Sequence, residues 1–177
     1  MSKREKMVMS GMTFEVEVGR AIKDFTKSKV KFNFVVNSAR KSVTSGLECD
    51  VLVMTPTKVY SVECKNYNYL IRGERLAPFW NFVSSGKKGT VANPILANDN
   101  RIRTLRGLLR LNNLESYPIE NIVCVPNNCR IETKCPQVMH LAELINLIKN
   151  ENNKVYDIDK MSLDFDLIKD HTKMFRR

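Results

Sequence analysis

Helical and strand-like hydrophobic periods alternate along this chain. Phe14, Val18, Ala21, Ile22 and Phe25 recur at helical spacing and predict a helix from about 11 to 27. Val30 to Val36 alternates imperfectly and reads as a first strand, followed by a polar, basic loop from Asn37 to Gly46. Two Val-rich arms come next, Glu48 to Met54 and Val59 to Lys65, joined through Thr55-Pro56-Thr57-Lys58. They predict a hairpin. Residues 66–92 read as short strands and turns, with Ser84 to Thr90 as a flexible basic loop. Asn93-Pro94 opens a second helix to about Leu111, its apolar stripe formed by Ile102, Leu105, Leu108 and Leu109. Ile122 to Val125 predicts a short strand, Pro126 to Pro136 a loop, Leu141 to Lys149 a helix, and Asp159 to Phe175 a last helix. The pattern is that of an α/β domain.

Charges break the apolar pattern in one place. If the hairpin folds back at Pro56-Thr57, position 55 faces 58, and the same register sets Asp50 opposite Glu63. Directly opposed residues have Cβ atoms about 4.5–5.5 Å apart. Strand alternation puts Glu63 and Lys65 on one face and turns Cys64 to the other. Burying such charges is costly unless they pair or bind a metal. Two acids beside a lysine suit Mg²⁺-assisted attack on a phosphodiester. The bland counterpart is a buried Glu–Lys ion pair with a separate aspartate.

Composition narrows the classes. At 177 residues, 43% hydrophobic and 27% charged, the chain reads as one soluble globular domain spanning 1–177. No apolar run approaches the roughly 18 residues that cross a membrane. The basic start, Met1 to Lys6, is not followed by a continuous apolar stretch, so no secretory signal is expected. Five cysteines, an odd number, fit reduced thiols and a cytoplasmic setting. Cys124, Cys129 and Cys135 lack the paired spacing of a zinc site. The net charge is +10, and residues 1–120 hold 20 Lys and Arg against 11 Asp and Glu, whereas residues 121–177 hold 9 against 8. The excess lies with the acidic pair and suits a polyanionic partner, nucleic acid above all. Arg103, Arg106 and Arg110 share one helical face with Arg101 nearby, and Lys87 and Lys88 lie in the basic loop. These are the candidate phosphate contacts. That loop lacks the spacing of a phosphate-binding P-loop.

Helix, three strands, helix and strand, with acids on the second and third strands, is the core order of the PD-(D/E)xK nucleases. Asp50 followed by Glu63-Cys64-Lys65 matches in residue type as well. Phe14-Glu15 with Val18 and Ile22, Glu48 to Val53, Val59 to Asn66, and then Gly73, Trp80, Asn93-Pro94 and Leu105 resemble, in order, the nuclease-related domain (NERD) family over roughly residues 11–126. Phe14 stands where the family usually has glycine, Cys64 where a valine-like residue is commoner, and Ala97 where it has glutamine, with Asn98 as the nearest amide. The resemblance implies a restriction-endonuclease-like core with a central mixed sheet of about four to five strands flanked by helices, and a C-terminal strand and helix extension over 127–177. It implies catalytic residues Glu15, Asp50, Glu63 and Lys65. Mg²⁺ or Mn²⁺ would be held by Asp50, Glu63 and the Cys64 carbonyl, with Glu15 completing the site directly or through water.

Three readings follow. One is a Mg²⁺-dependent nuclease acting on nucleic acid, DNA first. The second is a nucleic-acid-binding module without turnover, suggested by the missing glutamine. The third is a protein-interaction domain using Met and aromatic surface. The only histidines are His140 and His171, and no Cys-His or Ser-His signature accompanies them.

Overall fold

A computed structural model describes residues 3–36, 47–152, 158–170 and 172–174. The expected loop from Asn37 to Gly46 lies outside the described residues. The chain folds as α/β, with helices on both faces of a central mixed sheet. Strands β1 (Lys29–Val36), β2 (Leu47–Met54) and β3 (Val59–Cys64) form an antiparallel meander. Beside β3 the order continues with parallel β7 (Ile119–Val125) and β9 (Val138–His140), and β10 (Thr172–Met174) pairs antiparallel with β1 at the other edge. Among the described residues the sheet therefore has six strands, more than the four or five expected. The additional ones are three-residue edge strands, too short to leave a period in the sequence. The expected last helix is instead α4 (Ile158–Asp170), and the chain then turns into β10.

Helix α1 (Lys3–Phe25) begins about two turns before the expected start near residue 11. Phe14, Val18 and Ile22 pack on Val51, Val53, Tyr60, Val62 and Cys64, together with Leu144 and Ile148 of α3 (Leu141–Asn152). The helix ends where the Thr26 amide and hydroxyl both donate to the Ile22 carbonyl. Phe25, counted in the stripe, is 61% exposed, with the Lys149 ammonium 5.3 Å from its ring centroid. On the opposite face, α2 (Pro94–Leu111) and α4 bury Leu105, Leu108, Leu109, Met161, Phe165 and Ile168 against Leu52, Met54 and Val59. Covered from both sides, β3 is buried at every residue. Among the described residues, no helix is long and apolar enough to cross a membrane.

A second sheet, ordered β6-β5-β4-β8, takes β4 (Leu70–Arg72), β5 (Phe79–Ser84) and β6 (Lys87–Ala92) from the interval read as short strands and turns, and β8 (Arg130–Glu132) from further along the chain. Ser84 to Thr90 is thus the tip of a hairpin, with Ser85 and Gly86 at positive φ. The outer strand β6 buries no residue, which removes the alternation that marks a strand. Likewise β8 lies inside the stretch read as a loop.

The second sheet is fixed to α2 by one interlocked unit. Trp80 is fully buried and its indole N–H donates to the Glu74 carbonyl (2.9 Å). Gly73 lies flat against that indole, so a Cβ there would overlap the ring. Asn93 caps α2, its Oδ1 accepting from the Ile95 amide (2.9 Å) with Pro94 at the first helical position. Its Nδ2 donates to the carbonyls of Arg75 (2.9 Å) and Ala77 (2.7 Å). Two glycine variants should therefore act in opposite directions. Gly73→Ala is expected to destabilise by about 1–3 kcal/mol through overpacking. Gly107→Ala, in open space on α2, should stabilise by about 0.5–1 kcal/mol. Urea unfolding of both variants checks the signs.

Candidate active site at the end of the central hairpin

The turn of the hairpin sets the site. The Thr55 amide donates to the Lys58 carbonyl (2.9 Å), and pairing runs from Met54↔Val59 to Val51↔Val62. That is the register read from the sequence, and one step further Asp50 stands across from Glu63. Main-chain pairing stops there. Asp50 Oδ2 takes the next place in the ladder, accepting from the Cys64 amide (2.8 Å). On the other side of β3, the Lys65 amide donates to the Cys124 carbonyl (3.0 Å).

Glu63 is the centre of the arrangement. It is 1% exposed and both of its oxygens meet cations. Lys65 Nζ lies 2.5 Å from Oε1, and Arg101 Nη1 of α2 lies 2.5 Å from Oε2. The Arg101 contact is an ion pair without an aligned hydrogen bond, so Oε2 and Nη1 both stay buried without a hydrogen-bond partner. Arg101 is anchored behind its tip, where Nε donates to the Glu48 carbonyl (2.5 Å). Cys64 points into the α1 core, as alternation requires.

Burial raises the Asp50 carboxyl to about 7, with the Glu63 and Glu15 charges adding to the effect; the Lys65 charge and the Cys64 amide oppose it. Glu15, on α1, is therefore within electrostatic reach of Asp50. Burial pulls Lys65 down, but the charge and hydrogen bond of Glu63, helped by Asp50, outweigh it and leave the ammonium above its ordinary value. Burial pushes the Cys49 thiol up to about 12 and Cys64 well above its ordinary value. Neither offers a thiolate at neutral pH. His140 is occupied elsewhere, with Nε2 2.8 Å from the Cys129 carbonyl and Nδ1 3.1 Å from Glu143.

Asp50, Glu63 and Lys65 are thus brought to one end of β2 and β3, and the charge of Glu15 acts on Asp50 from α1. Arg101 joins them. Arg103, Arg106 and Arg110 do not, being exposed on the other flank of α2. At about 100° per residue, Arg101 falls within the buried arc of α2, between Leu105 and Leu108, and the three arginines fall outside it. A helical wheel separates them in the sequence alone. Lys87 and Lys88 are exposed on β6, and Lys88 lines a cavity of about 540 Å³ with Arg72, Phe82 and Thr90. A second cavity, of about 620 Å³, opens among Thr13, Phe14, Glu17, Asn66 and Asn127, beside Glu15 and Lys65 in sequence.

Sequence reasoning did not find the polar network behind the site. Asn98 Nδ2 donates to the Ser61 carbonyl (2.7 Å) and Asn121 Oδ1 (2.9 Å), and its own Oδ1 accepts from the Ser61 hydroxyl (2.8 Å). Buried and fully engaged, Asn98 is a pin between α2, β3 and β7 rather than an amide that replaces the absent glutamine at Ala97.

Among the described residues, no group of three or more His, Cys, Asp or Glu is placed to hold a metal ion. The donors at hand are the carboxylates of Asp50 and Glu63. Sparse ligation of this kind fits Mg²⁺, which keeps several waters of its own. Oε2 of Glu63 has the Arg101 charge beside it but no hydrogen bond, and so is the oxygen left for a directed ligand.

No curated protein and no solved structure matches the chain. The family profile of the nuclease-related domain matches residues 10–126, which span the hairpin, strands β4, β5 and β6 of the second sheet, α2 and β7. The chain belongs to the nuclease-related domain (NERD) family.

Proposed function

We propose that this protein is a metal-dependent nuclease that hydrolyses phosphodiester bonds in nucleic acid, DNA first. The observation that carries the reading is the convergence of Asp50, Glu63 and Lys65 at the open end of a buried hairpin in a nuclease-related chain. Mg²⁺ or Mn²⁺, held by Asp50, Glu63 and the Cys64 carbonyl, would supply Lewis-acid polarisation of water and phosphate. Lys65 is fixed by Glu63 and held protonated, so it acts as a charge and a hydrogen-bond donor, not as a base. It is placed to steady negative charge that develops on the phosphoryl oxygens. Glu15 adds negative charge from α1. The basic surface supplies sequence-independent phosphate contacts.

A second reading is a nucleic-acid-binding module without turnover. It is favoured by one specific observation, that both oxygens of Glu63 already face internal cations. It requires salt-sensitive binding that is indifferent to divalent ions.

Single- and double-stranded DNA incubated with the protein, with and without Mg²⁺ or Mn²⁺, separates the two. Cleavage is expected only with metal, and Lys65→Ala should lower its rate about 10²–10³-fold while leaving DNA affinity nearly unchanged. Binding without cleavage under both metals selects the second reading.

The raised Asp50 gives a pH test in metal-free protein. Its folded-state value, about 7, exceeds the ordinary 3.8. The folded state therefore holds the proton more tightly, and the stabilisation present below about 4 is lost as pH rises toward 7. Asp50→Asn, which keeps an oxygen for the Cys64 amide, should melt higher than wild type at pH 8. The gap should close near pH 4. In a chain of this size about 1 kcal/mol corresponds to about 2–4 °C, so calorimetric melts at the two pH values resolve it.

The outlying arginines are proposed to meet only remote phosphates. Replacing Arg103, Arg106 and Arg110 together with Gln should reduce the log–log salt slope of DNA binding by about 0.7–0.9 for each phosphate no longer neutralised. The single-turnover cleavage rate at saturating protein should not change.

A further inference from the structure

Resting on that reading, we propose that Arg101 is a displaceable internal counter-cation. Its guanidinium occupies, at Glu63 Oε2, the place a divalent ion takes, so that metal entry and release of the Arg101 tip are one event.

The two cations on Glu63 are not equivalent. Lys65 holds Oε1 through both charge and a hydrogen bond. Arg101 approaches Oε2 at 2.5 Å without N–H···O alignment, and both atoms are buried. An ion pair that lacks its hydrogen bond is the easier one to exchange, because charge-assisted hydrogen bonds are the stronger contacts. The exchange does not need the side chain to leave. Arg101 Nε is tied to the Glu48 carbonyl, two residues before Asp50 on β2. Only the distal fork has to move.

Some cation must be present at Oε2. A buried carboxylate stripped of its partner is strongly destabilising. Arg101 meets that need in the metal-free protein, and this is the reason the site folds before any metal arrives. A doubly charged ion and a guanidinium crowded on the same buried oxygen repel one another. Each must therefore weaken the other's hold on Glu63 by the same factor. Once displaced, the guanidinium still stands beside the metal site with its planar fork of donors, a geometry that suits phosphate. Arg101 is on this view a positioning residue for Glu63, which sets metal affinity.

Calorimetric Mn²⁺ titration of wild type, Arg101→Gln and Asp50→Asn tests the proposal, with circular dichroism confirming that each is folded. Arg101→Gln is expected to bind Mn²⁺ about tenfold more tightly than wild type, or about 1.4 kcal/mol. It should melt lower without metal and gain more on adding it. A residue with a purely structural role would weaken metal binding when replaced. Equal or weaker Mn²⁺ binding by folded Arg101→Gln, with binding abolished in Asp50→Asn, overturns the proposal and leaves the nuclease reading standing. Absence of Mn²⁺ binding in wild type and Arg101→Gln alike overturns both.

A measurement on wild type decides the matter if Arg101→Gln does not fold. In ¹⁵N spectra of the arginine side chains, the Arg101 signals, assigned by their loss in Arg101→Lys, should change from a restricted to a freely rotating guanidinium as Mg²⁺ saturates the protein. Arg101 signals that stay restricted at saturating Mg²⁺ overturn the proposal.

Discussion

The structure is organised around a carboxylate that has no access to water. Glu63 is the penultimate residue of β3, in a sheet covered on both faces, and it is 1% exposed. Taking an ion of that size out of water costs several kcal/mol even after relaxation. Its pairing is therefore a condition of folding as well as of chemistry. Lys65 comes from the same strand and is available wherever β3 forms. Arg101 comes from α2, so Glu63 is compensated only when α2 lies across the sheet at the correct height. The Asn93 cap, the Trp80 and Gly73 contact beneath it, and the Asn98 hydrogen bonds to Ser61 and Asn121 all determine that height.

Much of this was legible in the sequence, for a physical reason. A hairpin buried on both faces must be Val-rich and must have a defined register, because a one-residue slip would carry its charges to the wrong face. The pairing of Met54 with Val59 confirms the register that sets Asp50 across from Glu63. The α/β order and the stripes of α1 and α2 were legible for similar reasons. The elements that escaped are those whose sequence carries no burial signal. The outer strand β6 is exposed or half-exposed along its length, and β8, β9 and β10 are three residues each. Arg101 escaped because it was grouped with Arg103, Arg106 and Arg110 by residue type and not by angle around the helix. No local pattern announces the Ser61–Asn98–Asn121 network, since its members are brought together only by the tertiary fold.

The residues that identify the family divide into two kinds. Gly73 packs on Trp80, and Trp80 and Asn93 both donate to carbonyls of the 74–77 segment. They hold α2 where it must be. Asp50, Glu63 and Lys65 carry the charges. The two kinds occur together because the second depends on the first: a misplaced α2 leaves Glu63 with one cation instead of two.

The α2-facing side of β3 explains how a charged site can grow out of an apolar core. Val59, Ser61, Glu63 and Lys65 follow one another at every second position along it. Val59 packs among leucines of α2 and methionines of β2 and α4. Ser61 is equally buried, but is neutral and satisfied by Asn98. Glu63 is buried and charged, and Lys65 reaches partial exposure. Polarity thus rises in steps toward the end of the strand, and each step has its partner on a neighbouring element. A one-residue slip would turn Glu63 toward the apolar α1 face, where Phe14, Val18 and Ile22 pack, and away from Arg101. Only the observed register lets the sheet bury a carboxylate at its centre and still present a lysine at its edge, and that register is set at the far end of the hairpin, by Thr55 and Lys58.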